Sequence, residues 1–148
     1  MADSVQIIEP SPDHIPAIAR LEKASFKAPW RVEFFASEIG AEGRYNRIAQ
    51  ADSGEVVGYI FAMFFLDEMH VNKIAVAEAA RRKGIARSLM ADCVEFARAR
   101  NVRSISLEVR ESNTGAQLFY NTLDFHPTYT RRRYYPDGES AVVMTAKL

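Results

Sequence analysis

Between Glu68 and Arg110 the hydrophobic period changes from two to about 3.6 and back to two, which constrains this chain more than any other feature. Glu68 to Val76 predicts a strand, with Val71 and Ile74 set among polar neighbours. A charged, small-residue turn follows. Ile85, Leu89, Met90, Cys93, Val94 and Ala97 then share one helical face, while Arg87, Asp92, Glu95 and Arg98 occupy the other. Ser104 to Arg110 alternates strictly, so Ile105, Leu107 and Val109 share one sheet face and Glu108 lies opposite with Ser106 and Arg110. Strand, helix and strand in this order predict an α/β arrangement.

The flanking segments extend this frame. Val5 to Glu9 is a short β-prone run stopped by Pro10, and Ser11 caps a helix with Pro12 at its first position. Ile15, Ile18, Ala19 and Leu21 suit the buried stripe of that helix. Pro29-Trp30 interrupts, after which Val32, Phe35, Ala36 and Ile39 recur at helical spacing as far as Gly40, a C-terminal cap. Tyr45 to Ala51 and Val56 to Phe65 flank Asp52-Ser53-Gly54, which predicts a hairpin. Asn113 caps a last helix carrying Ala116, Leu118, Phe119, Tyr120 and Leu123. Phe125 to Tyr135 and Ala141 to Ala146 read as a closing hairpin around Pro136-Asp137-Gly138. The expected product is a mixed central sheet of about seven strands flanked by four helices. At 148 residues the chain suits a single domain over positions 1–148.

Composition narrows the partners. With 48% hydrophobic and 26% charged residues the chain reads as an ordinary globule, and Lys+Arg and Asp+Glu balance at 19 each. That balance removes a global electrostatic argument for nucleic acid or anionic lipid, so neither is an expected partner. Met1 to Val5 lacks a secretory pattern, and the longest near-apolar run, Tyr59 to Leu66, is far shorter than the roughly 20 residues of a spanning helix. With Cys93 alone no internal disulfide forms, which fits a cytoplasmic protein. His14, His70 and His126 show no metal-ligand spacing, so no metal is expected.

Arg81-Arg82-Lys83-Gly84-Ile85-Ala86-Arg87 follows a strand and opens the strongest helix. Unpaired backbone N–H groups and the positive end of the helix dipole converge there, as a phosphate requires. Gly84 permits close approach and the arginines add charge, although a basic surface turn would read the same way. The spacing matches neither GxxxxGK[ST] nor GxGxxG.

Taken in order, Asn72-Lys73-Ile74-Ala75-Val76, Arg81 to Ala86, Leu107-Glu108-Val109-Arg110-Glu111-Ser112-Asn113, Leu118-Phe119-Tyr120 and Phe125 resemble the GNAT acetyltransferases. Within them, the LEVR-x-SN segment and Arg132-Arg133-Tyr134-Tyr135 are similar to the ribosomal-protein-alanine N-acetyltransferases (the RimI group). The resemblance spans nearly the whole chain, Pro29-Trp30 included. It implies the GNAT fold and acetyl-CoA as cosubstrate. Ile74, Ala75 and Val76 would pair with the pantetheine arm, and Arg82, Lys83, Gly84, Ile85, Ala86 and Arg87 would hold the pyrophosphate. Asn113 would contact coenzyme A, though capping a helix alone explains it.

Glu108 matches the family's general base and Tyr120 its general acid. From spacing alone, Glu108 suits a solvated strand position and Tyr120 a core aromatic. The chemistry uses both: an α-amine, with a reference pKa of about 7.7 to 8.0, must lose a proton, and a departing thiolate is helped by a phenol. By the resemblance, Trp30, Tyr134 and Tyr135 match a peptide-binding cleft closed by the final hairpin and the loop between the first two helices, although simple packing also accounts for them, and for Trp30 equally well. No Ser or Cys nucleophile signal appears, so direct transfer in a ternary complex is expected.

The resemblance implies acetylation of a protein N-terminus, that of a small-subunit ribosomal protein beginning with alanine. The same cofactor machinery would also serve a small amine or a lysine side chain, or an acyl-CoA sensor without turnover. Three positions depart from the family pattern: Asp124 replaces Gly, Ser140-Ala141 replaces Asp-Ala, and Ala86 replaces the last Gly of the turn. Asp tolerates the left-handed conformation better than most residues, so the first change is compatible with the fold.

Overall fold

The computed structural model describes residues 4–148. Its strands are β1 (Val5–Ile8), β2 (Arg44–Ala51), β3 (Val56–Phe65), β4 (Glu68–Val76), β5 (Ser104–Arg110), β6 (His126–Arg131) and β7 (Ala141–Lys147). The helices are α1 (Ile15–Ser25), α2 (Val32–Glu38), α3 (Ile85–Ala99) and α4 (Thr114–Asn121). All seven strands join one sheet in the order β1-β2-β3-β4-β5-β7-β6. β1 to β4 form an antiparallel meander, β4 and β5 run parallel, and β5, β7 and β6 are again antiparallel.

A parallel pair needs a crossover, and α3 supplies it. Its buried face is Ile85, Leu89, Met90, Cys93 and Ala97, each apolar residue set by the 3.6 period. Fully burying a side chain of the size of Leu89 contributes roughly 1.5–3 kcal/mol. Gly58 lets α3 sit this close: a Cβ there would stand 3.0 Å from the Ala75 carbonyl oxygen and 3.3 Å from Ile85 Cγ2. On β3, Ile60 and Ala62 serve the layer of α3, while Tyr59 and Phe61 serve the layer of α1 and α2. Phe35 of α2 meets the Tyr59 and Phe61 rings edge-on, at 5.9 and 5.1 Å between centroids.

Four local expectations change. α1 is preceded by a 3₁₀ turn at Pro12–His14, where the Ser11 N–H donates to His14 Nδ1 at 2.9 Å. α2 buries Phe35 alone, leaving Val32 and Ala36 exposed, because a seven-residue helix presents too little length to seat a second turn. Leu118 of α4 is exposed as well. β6 ends at Arg131, so Tyr134 and Tyr135 lie on the β6–β7 loop and not on a strand. Arg133 at φ +51° and Gly138 at φ +90° turn the backbone there, and the Gly138 N–H donates to the Tyr135 carbonyl at 2.8 Å. Asp124 does take the left-handed conformation, at φ +66°.

The order of the last two strands follows from their composition. β7 buries Ala141, Val143, Met144 and Ala146, whereas every residue of β6 is exposed. The apolar strand takes the interior place beside β5 and the polar one becomes the edge.

Candidate active site

β4 and β5 stay in register only from Glu68↔Ser104 to Val71↔Leu107. At that point β4 carries a bulge, since Lys73 pairs with Phe61 and Val71 with Ala62, leaving Asn72 as the extra residue. A bulge bends its strand and increases the local twist. β5 meanwhile continues beside β7 as far as Arg110↔Ala141. The two parallel strands therefore diverge, and a cleft of about 470 Å³ lies between them.

Glu108, Asn113 and Tyr120 line this cleft together with Ile74 of β4. Trp30, Tyr134 and Tyr135 line it as well. Ala75 and Val76 continue β4 beyond the last β5 pair, so the outer edge of Ile74 to Val76 has no strand beside it.

The strict alternation of β5 buries Ile105, Leu107 and Val109 and turns Glu108 to the cleft. Its side chain is only 8% exposed, which displaces the reading of a solvated strand residue. His70 Nε2 lies 2.6 Å from Glu108 Oε2, a close ion-pair contact off the line of a straight hydrogen bond. Arg131 Nε approaches Glu108 Oε1 at 3.5 Å. His70 Nδ1 sits 2.8 Å from Asn72 Oδ1. Burial works against the imidazolium, but Glu108 and Asn72 outweigh it and raise the His70 pKa above its ordinary 6.5.

Tyr120 is 8% exposed, and its ring packs on Phe119 and Phe125. The ring thus packs as a core aromatic, while the residue also lines the cleft. Burial pushes its pKa well above the usual phenol value, so the hydroxyl keeps its proton. Asn113 caps α4, its Oδ1 accepting the Ala116 N–H at 3.0 Å.

The basic turn lies outside the cleft, at the start of α3. Gly84 is the N-cap residue at φ +79°, and Arg82 is also left-handed at φ +64°. The Ser88 N–H donates to the Gly84 carbonyl at 3.0 Å, so the amides that precede it in α3 head the helix without an i−4 partner. Arg82, Lys83, Gly84 and Arg87 are exposed, whereas Ile85 points into the core and Ala86 is half-buried. Arg87 is held by the Thr122 hydroxyl at 3.1 Å.

Two anchors that the linear pattern did not reveal hold the cleft margins. Glu22 of α1 is fully buried; it accepts the Trp30 N–H at 2.9 Å and a hydrogen bond from the Tyr59 hydroxyl. Lys73 Nζ lies 3.0 Å from the same carboxylate and 3.7 Å from the centroid of the Phe26 ring. On the other margin Arg110 binds Asp137 and Glu139 at 2.9 and 2.8 Å and covers the Tyr135 ring at 4.1 Å. The Ser112 N–H and Arg110 hold the Glu139 pKa down to about 2. One sequence signal existed for Glu22: it falls four residues after Ile18, on the apolar stripe of α1. His70 and Asn72 stand two apart on β4, the strand spacing for one shared face.

A sheet that splits between two parallel strands, with a glycine-opened helix start after the first and a carboxylate on the second, defines a class. The chain belongs to the Acetyltransferase (GNAT) family, whose profile matches residues 15–125. Among individual relatives, the ribosomal protein bS18-alanine N-acetyltransferase of Escherichia coli strain K12 is 33% identical over 133 residues, 88% of each chain. The crystal structure of the ribosomal-protein-S18-alanine N-acetyltransferase from Escherichia coli superposes with a TM-score of 0.90 at 30% identity, covering 97% of this chain and 94% of that one. Ard1 from Thermoplasma volcanium gives a TM-score of 0.89 at 27% identity over 97% of both chains.

Proposed function

We propose that this chain, as one domain over residues 1–148, transfers the acetyl group of acetyl-CoA to the N-terminal α-amine of a protein. The favoured acceptor is a small-subunit ribosomal protein that begins with alanine, as the similarity to the bS18-alanine enzymes suggests. The observation that carries the reading is the cleft that Glu108 and Tyr120 share between the diverging strands. The buried Cys93 thiol fits a reducing compartment, so the cytoplasm is the proposed location.

Each part of the cleft, and the basic turn outside it, has a task. The strandless edge of Ile74 to Val76 offers backbone groups to the pantetheine arm, and Asn113 borders the same cavity. The turn from Arg82 to Arg87 offers helix-start amides and cationic side chains to the pyrophosphate. Trp30, Tyr134 and Tyr135 supply flat contact area and polar tips to a peptide backbone. Glu108 accepts a proton from the incoming ammonium, directly or through one water. The free amine attacks the thioester carbonyl, and the carbon–sulfur bond breaks as the amide forms. Tyr120, kept as a phenol by burial, donates its proton to the departing sulfur and is restored by the second proton that the nitrogen loses as it becomes the amide.

The test is thiol release from acetyl-CoA with a panel of N-terminal peptides, lysine peptides and polyamines. Turnover concentrated on peptides beginning with alanine is expected. Turnover confined to polyamines or lysine side chains would overturn the acceptor assignment.

A further inference from the structure

His70 and Asn72 line the cleft but have no part in the transfer just described. They belong to β4, while Glu108 belongs to β5, and the bulge at Asn72 is where those strands part. His70 is thus the last β4 side chain on that face before the cleft widens. Its ring spans the gap, with Nε2 at 2.6 Å from Glu108 Oε2 and Nδ1 at 2.8 Å from Asn72 Oδ1.

We propose that His70, held by Asn72, is the positioning residue of Glu108: it fixes Oε2, so that Oε1 is presented to the acceptor amine. This rests on the reading of Glu108 as the general base. Asn72 suits the task because its amide serves either protonation state of the ring. Its oxygen accepts from an imidazolium N–H, and the same amide turned over donates to a bare ring nitrogen. In going from ammonium to amide the nitrogen gives up two protons: Glu108 takes the first and passes it to solvent before the next turnover, and the second replaces the proton that Tyr120 gives to the departing sulfur.

No neighbouring cation duplicates His70. Arg131 reaches Oε1 at 3.5 Å, but it is 47% exposed and screened by water. Arg110 is committed to Asp137 and Glu139, and Lys73 to Glu22. Tyr134 and Tyr135, from the β6–β7 loop, also face Glu108, and burial keeps both phenols neutral. His70 is therefore the basic side chain nearest Glu108, and it is better shielded from solvent than Arg131.

The experiment pairs a kinetic and a spectroscopic reading. A carboxylate released from its position loses its alignment with the reacting atoms, so His70→Gln should lower kcat by up to about 10²-fold with the KM for acetyl-CoA unchanged. Arg131→Gln, which removes an exposed and screened partner, should leave kcat within about twofold of wild type. In NMR titrations of the folded protein, Glu108→Gln should lower the His70 ring pKa.

A kcat in His70→Gln equal to that of the wild type overturns the proposal. So does an equal loss of kcat in Arg131→Gln, or a His70 pKa indifferent to Glu108→Gln. Wild-type turnover in Glu108→Gln would instead remove the general-base reading on which the proposal stands. Loss of turnover there with an unchanged kcat in His70→Gln would remove the role of His70 alone.

Discussion

Glu22→Gln should cost about 3 kcal/mol of stability and selectively weaken peptide binding. The wild-type carboxylate is fully buried and receives three groups: Lys73 Nζ at 3.0 Å, the Trp30 N–H at 2.9 Å and the Tyr59 hydroxyl. An amide of nearly the same shape removes the negative charge and turns one acceptor into a donor, so a donor must face a donor. Breaking a buried pair by removing one partner typically costs about 3–5 kcal/mol. The lower end applies here, because Lys73 keeps its place over the Phe26 ring at 3.7 Å, a contact of about 0.5–2 kcal/mol. For a chain of this length about 3 kcal/mol corresponds to a fall in Tm of roughly 6 to 12 °C. Urea and thermal denaturation would measure the loss. A double-mutant cycle with Lys73→Met would isolate the pair, whose coupling should lie at about 0.5–3 kcal/mol. Because Trp30 sits on the cleft margin, the KM for peptide should rise while the KM for acetyl-CoA stays put. A stability loss under about 1 kcal/mol with an unchanged peptide KM would refute this reasoning, since it would mean the carboxylate is not the anchor of the α1–α2 loop.

Other perturbations test separate links. Glu108→Gln should lower kcat by about 10²–10⁴ while calorimetry finds the acetyl-CoA Kd unaltered. Tyr120→Phe should lower kcat yet leave the unfolding free energy from urea denaturation within about 0.5 kcal/mol of wild type, because the ring packing on Phe119 and Phe125 is retained. Gly84→Ala should destabilise by about 1–2 kcal/mol through its φ of +79° alone, since a Cβ there meets no atom within 4 Å. For His70 the folded pKa is raised above 6.5, so its contribution to stability is complete below that value and is lost as the pH climbs through the raised one. The stability gap between wild type and His70→Gln should therefore narrow as denaturation is repeated at pH values rising past 6.5. A gap that widens would contradict the ion pair.

Much of the frame is legible in the amino-acid sequence. The two changes of period locate β4, α3 and β5, and the alternation of β5 sets Glu108 on the face opposite Ile105, Leu107 and Val109. Capping chemistry places Asn113 at the head of α4, and the tolerance of Asp for left-handed backbone accommodates Asp124. The run of motifs from Asn72 to Phe125 points to the family that the profile match establishes. Tyr134 and Tyr135 read as strand residues because Pro136-Asp137-Gly138 signals a turn only after them, whereas nothing in the sequence marks the left-handed Arg133 at which the chain has already left β6.

The sequence by itself therefore determined which side of each element a residue occupies, since periodicity and caps are short-range properties of one segment. What surrounds that side was decided only in the tertiary structure. Glu22 and Tyr59 stand 37 residues apart in sequence, and the former reads as a helix charge until the sheet closes over it. His70 meets Glu108 because β4 and β5 run parallel and then separate at the Asn72 bulge. The cleft itself is the space between two strands that lose their register, with β7 drawn in beside β5 by its apolar face. Pairing between distant segments sets those distances, so a pattern within either segment carries no record of them.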